Sequence, residues 1–287
     1  MPEIVISPNH GVFDLPEIVA IRDGLFDRAG LSVRFAAHGP DIAYDSTARD
    51  PFARRKEALF AADQADVFNL CEWGGIDRLE RNRKQGSIAY LRPAVVAQGL
   101  VSFDPRLNEP HDLGGVEVGV NEFTGSHYTA LHLLEGTLPR QEIVLRHIGA
   151  PEVRLTAVSE GRVPAAMLME PFLSLALARG GHLLGAYFYR GAQIIAPGLD
   201  AERREDYISA VNAAVDVINA APWPELAEII VAETQGALAP DRLGRDHIRY
   251  THAEPYNEKR FTESYAWMKA WGLTSGASGY RSLLPTR

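Results

Sequence analysis

The sequence predicts an α/β protein of two lobes, each a sheet covered by helices. Three observations carry this. The first thirty-five residues already read as strand, helix, strand. Further strand-like segments alternate with helical patterns of about 10–15 residues, which predicts parallel sheets with right-handed crossovers. And 287 residues with 46% hydrophobic content can bury two cores of roughly 100–150 residues each.

Glu3 to Ser7 reads as a strand, Pro8 to Leu15 as a loop, Asp14 to Asp27 as a helix and Leu31 to Phe35 as a strand. Asp14 suits an N-cap, with Glu17 three residues on as the reciprocal partner of a capping box. Pro51 to Ala62 reads as a helix and Ala65 to Leu70 as a buried strand. The run CEWGG then reads as a strand-to-helix loop, and Ile76 to Asn82 as a charged, exposed helix. Ser87 to Pro93 and Ala94 to Phe103 are strand-like, and the polar run DPRLNEPHDLGG marks a domain boundary. Strands follow at Val116–Val120, Ile143–His147, Ala165–Met169 and His182–Phe188, with helices starting near Ser126, Glu152 and Pro171. Ala201 to Ala220 is a long amphipathic helix, ended by Pro222 and Pro224. Glu225 to Glu233 and Phe261 to Trp271 complete a helical C-terminal portion.

The run LPEIVAIRDGLFDRAGLSVRF resembles the opening of the type II periplasmic-binding-protein superfamily, in its sulfonate/taurine/nitrate and NMT1/THI5-like branch. The pattern G-[FY]-F-x-x-x-G-L-x-V is matched by Gly24, Leu25, Phe26, Gly30, Leu31 and Val33. LGGVEVGVNEFTGSHYTALHLLE resembles the start of the second lobe in that group, and VSEGRVPAAMLMEPFLSLALARG the strand that delivers an acidic residue to its cleft. The resemblance implies a two-strand hinge, with the C-terminal portion packed back on the first lobe. Lobe I is then 1–100 and 190–287, and lobe II is 101–189.

Composition excludes some partners. A formal net charge of −8 argues against nucleic acid and anionic membrane. The most apolar region, Ala165 to Phe188, is broken by Glu170, Pro171, Arg179 and His182, so it cannot span a bilayer. One cysteine rules out an internal disulfide framework. Met1 is followed by an acidic strand rather than a basic and apolar leader, so the sequence as it stands reads as cytoplasmic. A protein whose leader had been removed would be periplasmic or extracellular. No cofactor motif appears: no P-loop, no G-x-G-x-x-G, no H-E-x-x-H and no G-x-S-x-G.

Candidate site residues follow from topology. The loop after the first strand of an open α/β sheet borders the ligand crevice, which places Asn9 and His10 there. Thr124, Gly125, Ser126 and His127 lie where a strand meets a helix N-terminus, a natural cradle for carboxylate, sulfonate or phosphate. Plain capping is the alternative, since Ser and Thr are preferred caps. Asn69, Glu72 and Trp73 occupy the equivalent loop of the first lobe. Cys71 beside them is either a nucleophile or a small buried hydrophobe. Glu170 ends a buried strand, as a ligand contact or as a charge serving the next helix. Arg190 offers a guanidinium for an acid group, and Tyr44 and Arg92 are further candidates.

Two functions are compatible with these residues. The first is a solute-binding protein closing around a small, acid-bearing organic ligand, with an ABC-importer permease as partner if exported. The second is a cytoplasmic enzyme of the same fold, of lyase type, in which His127, His10 and Cys71 would carry the chemistry.

Overall fold

The computed structural model describes residues 3–37, 45, 47–81 and 86–285. Tyr44 and the helix end expected at Asn82 lie outside them. The first lobe opens with β1 (Glu3–Ile6), α1 (Gly11–Arg22), the short α2 (Leu25–Arg28) and β2 (Ser32–Phe35). It continues with α3 (Arg55–Ala61), β3 (Val67–Cys71) and α4 (Glu72–Arg81). β1 pairs in parallel with β2 on one side and β3 on the other. β4 (Ser87–Ser102) then leads to the second lobe. That lobe holds β5 (Glu117–Val120), α5 (Gly125–Glu135), β6 (Val144–His147), α6 (Pro151–Ser159), β7 (Ala165–Leu168) and α7 (Phe172–Ala178). Here β5 pairs in parallel with β6 and β7.

β8 (His182–Ile195) returns the chain, antiparallel to β4 along nearly its whole length. One end of β8 pairs with β3, from Gly191 to Ile195, and the far end of β4 pairs with β7, from Gly99 to Ser102. Both strands therefore join the two halves of one continuous mixed sheet, and they form the two-strand hinge. Almost every residue of β4 is buried, as expected of a strand covered on both faces. Its pairing register slips between Leu91 and Val95, around Pro93, which has no amide to give the ladder.

The C-terminal portion packs on the first lobe. α8 (Ala201–Ala220) lies against α1 and α2, with Tyr207 stacked on Phe26 of α2 at 5.0 Å. α9 (Trp223–Val231) follows. β9 (Ile248–Tyr250) and β10 (Glu254–Pro255) add to β4, and α10 (Glu258–Ala270) contacts α4. Among the described residues, no helix is long and apolar enough to cross a membrane.

Three local expectations are corrected. α1 begins at Gly11, so Asp14 and Glu17 are no capping box; both point inward and are buried. CEWGG is not a loop, because α4 starts at Glu72 itself, and Ile76, Asp77 and Arg78 are buried rather than exposed. The strand expected to stop at Phe188 runs on to Ile195. Gly191 permits this: a Cβ there would stand 2.8 Å from the Leu70 carbonyl oxygen of β3.

Candidate functional site

The carboxyl ends of β1, β3 and β5 meet the middle of the hinge around a cavity of about 450 Å³. The lobes touch across it. Arg49 forks onto the Glu122 carboxylate at 2.5 and 2.8 Å, and Arg54 Nη2 donates to the Glu122 carbonyl at 2.9 Å. His147 Nε2 lies 2.9 Å from the Thr47 carbonyl, and Arg78 Nη2 donates to the Phe123 carbonyl at 2.9 Å.

Of the residues expected at the site, Asn9, His10, Asn69, Cys71, Thr124 and Gly125 line the cavity. Asn9 and Asn69 are fixed by a buried carboxylate. The Asn9 amide donates to Asp14 Oδ2 at 2.6 Å, Asn69 Nδ2 donates to Asp14 Oδ1, and the two side chains bond each other. Burial pushes the Asp14 carboxyl up to about 6. His10 Nδ1 pairs with Glu233 Oε2 at 2.7 Å, and the Gly11 amide donates to the other oxygen, so Glu233 occupies the N-terminus of α1. Gly125 lets Tyr189 lie against the start of α5, since a Cβ there would meet the Tyr189 hydroxyl at 2.5 Å.

Glu72, Trp73, Ser126, His127, Glu170 and Arg190 do not line the cavity. Glu72 turns toward α10 and accepts from Tyr256, Arg260 and Ser264 at 3.0, 2.6 and 2.8 Å. Trp73 packs among Tyr128, Tyr189 and Trp267. Ser126 Oγ closes the preceding turn by accepting from the Asn121 amide at 2.9 Å. Glu170 accepts from the Ser174 amide and hydroxyl at 3.0 and 2.9 Å and pairs with His247. Arg190 spends its guanidinium on the Arg92 and His252 carbonyls and on Glu254. Arg92 reaches the wall, but Glu17 neutralises it through two 2.8 Å bonds.

His127 is held neutral. Its Nδ1 accepts from the Phe123 amide at 3.1 Å, and burial drives the imidazole down to about 4. Because the folded value lies below the unfolded one, the neutral ring's contribution is whole above about pH 6.5 and is lost as pH falls toward 4. Relative to His127→Gln, the unsubstituted protein should lose about 3 kcal/mol across that window. Urea melts of both proteins at pH 7 and pH 4.5 check this, and parallel losses would contradict it.

Cys71 is buried on the cavity wall. Its Sγ accepts from the Gly74 amide at 3.3 Å, and burial pushes the thiol up to about 12. Ellman's reagent should leave it unmodified under native conditions and react fully in denaturant. Fast native labelling would show an accessible thiolate.

The cations that matter were not expected from the sequence. Arg54 is 6% exposed; its Nε and Nη2 donate only to backbone carbonyls, and its buried Nη1 has no partner among the described residues. Arg154, 2% exposed, donates from Nε to the Met167 carbonyl at 2.7 Å and from Nη1 to the Gly149 carbonyl at 2.5 Å. Burial lowers both guanidinium groups to about 10. Lys56 Nζ donates to the Asn69 carbonyl at 3.2 Å. Among the described residues, none of the three forms an ion pair; Glu152, an exposed side chain of the rim, is the carboxylate that acts on Arg154 from a distance. The Gln98 Oε1, Asn121 Oδ1 and Glu57 Oε2 acceptors on the wall also lack partners among the described residues. No group of three His, Cys, Asp or Glu residues is placed to hold a metal ion among the described residues.

No protein-family model matches the chain, and no curated protein matches it. Solved structures do. The periplasmic aliphatic sulphonate binding protein SsuA from Escherichia coli is 16% identical, over 99% of this chain and 98% of that one, at a TM-score of 0.75. The alkanesulfonate-binding protein SsuA from Xanthomonas axonopodis pv. citri, bound to MOPS, is 14% identical over 99% and 98%, at 0.74. The desulfurization enzyme DSZB is 14% identical over 98% of each chain, at 0.62. Likeness at this level of identity establishes the architecture: the chain has the two-lobed, hinged fold of the periplasmic binding proteins.

Proposed function

We propose that this chain is a small-molecule binding protein that closes its two lobes around a small organic acid. One observation carries the reading: Arg54, Lys56 and Arg154 line the cavity and, among the described residues, donate only to backbone carbonyls. A buried charge without an ion-pair partner is costly, and an arriving anion lowers that cost. The solute-binding neighbours, two of them named for sulfonates, support the same direction. The reading divides the chain at the hinge into lobe I (1–100 with 190–287) and lobe II (101–189). Asn9, Asn69, Thr124 and Gly125 complete the ligand's polar surroundings. Where the chain is exported, an ABC-importer permease is the partner that would receive the ligand.

Thermal melts against a panel of small compounds test this. Alkanesulfonates, MOPS and short carboxylates stand on one side, and uncharged amides and amines on the other. A ligand present at a hundred times its Kd stabilises the folded state by about 2.7 kcal/mol. At least one acid should therefore raise Tm by several degrees while the neutral and cationic compounds do not. A panel in which only amines or amides raise Tm overturns the reading.

A further inference from the structure

Of the chain's 29 basic residues, four are lysines: Lys56, Lys84, Lys259 and Lys269. Among the described residues, every other Lys or Arg side chain on the cavity wall is an arginine. Charge alone therefore does not account for a lysine at position 56. Among the described residues, no carboxylate forms an ion pair with it: Glu57 Oε1 bonds Arg78 at 3.0 Å, and Asp14 bonds Asn9 and Asn69. What distinguishes lysine from arginine in such a place is that its amine can lose its proton and attack carbon. Burial, against the opposing pull of Glu57, moves the Lys56 ammonium in that direction, below its ordinary value.

We propose that Lys56 is a carbonyl-capturing amine, and that the protein holds a ligand carrying both an acid group and an aldehyde or ketone as an imine on Nζ. The neutral amine adds to the carbonyl carbon to give a carbinolamine. The carbonyl oxygen then leaves as water, taking with it the two hydrogens of the amine, and a C=N bond replaces C=O. No oxidant or reductant is needed, and water reverses the step. His10, paired with Glu233, lines the same cavity and is the side chain assigned to supply the proton the departing oxygen takes up. The inference rests on the acid-pocket reading above, because Arg54 and Arg154 would hold the acid group while the carbonyl meets Nζ.

Glyoxylate with sodium cyanoborohydride at pH 7 tests it, since reduction turns the imine into a stable carboxymethyl-lysine that peptide mapping locates. Lys56 should be modified at least about tenfold faster than Lys259 and Lys269, in keeping with a lowered amine pKa. An excess of any acid that raises Tm, lacking a carbonyl, should protect it. Lys56→Arg should remove the fast-labelling position and leave Lys259 and Lys269 labelled at their own rate. Labelling of Lys56 no faster than of the two surface lysines overturns the imine. If acids still raise Tm in that case, the acid pocket survives; if no acid raises Tm, that reading falls on its own test. Fast labelling that an acid fails to block also overturns the proposal, because the carbonyl would then be captured outside the acid seat.

Discussion

Arg154→Gln should weaken binding of any acid that raises Tm by about 30- to 1,000-fold, the usual scale of removing one member of a buried charge pair. Two carbonyls, Met167 and Gly149, hold the guanidinium before any ligand arrives, so little ordering is left for binding to pay for. In the ligand-free protein the same substitution removes a buried charge that lacks an ion pair among the described residues. Its stability should therefore change by no more than about 1 kcal/mol, with the lost hydrogen bonds offset by the relief of desolvation. Calorimetric titration and urea melts of the same samples separate the two effects. Equal losses in both would show Arg154 to be part of the framework rather than of the ligand seat.

Glu17→Ala should do the reverse, with a loss of about 3–5 kcal/mol in unfolding free energy. Glu17 is fully buried and takes both terminal nitrogens of Arg92 at 2.8 Å. Arg92, 1% exposed, also donates to the Phe13 carbonyl at 2.5 Å and to Gln193. These bonds tie α1 to both hinge strands. Without Glu17 the guanidinium keeps its place but loses the carboxylate that balances it; Asp14 lies 3.8 Å away and is committed to Asn9 and Asn69. The midpoint of urea unfolding should fall with its slope unchanged. A shift worth less than about 1 kcal/mol would mean that solvent reaches Arg92 in the folded state.

Much of the fold was legible because local patterns and tertiary structure agree. The opening β1–α1–β2 unit, the long α8 and the start of α5 at Gly125 all follow from periodicity and punctuation. The failures share a cause. D-x-x-E reads equally as a capping box or as two inward carboxylates, and only the partner Arg92, 75 residues beyond Glu17, decides. The Gly74–Gly75 pair reads as a turn, yet in α4 it allows close packing: a Cβ on Gly74 would meet Leu70 at 2.9 Å. That helix carries Glu72 and Trp73 away from the cavity.

The candidate site was legible in its backbone and illegible in its charges. Strand ends located Asn9, His10, Asn69, Thr124 and Gly125 at the wall. Nothing in periodicity says which arginines lack an acidic partner, so Arg190 was expected where Arg54 and Arg154 stand. A signal was present all the same. Arg54, Arg55 and Lys56 occupy the N-cap and first turn of α3, and Arg154 lies near the start of α6. Cations there oppose the helix dipole. Side chains that break a local rule without an evident gain are where function is expected.

On the proposed reading, an acid group sits between Arg54 and Arg154 in the cavity. A crystal grown with 2-bromoethanesulfonate tests it most directly, because bromine scatters anomalously and the sulfonate at the other end can be placed from it. One bromine peak is expected inside the cavity, with sulfonate oxygens within hydrogen-bond distance of Arg54 Nη1, which has no partner among the described residues, and of the Arg154 guanidinium. A peak outside the cavity, or a sulfonate that displaces Glu233 from the start of α1 and leaves both arginines untouched, would contradict it.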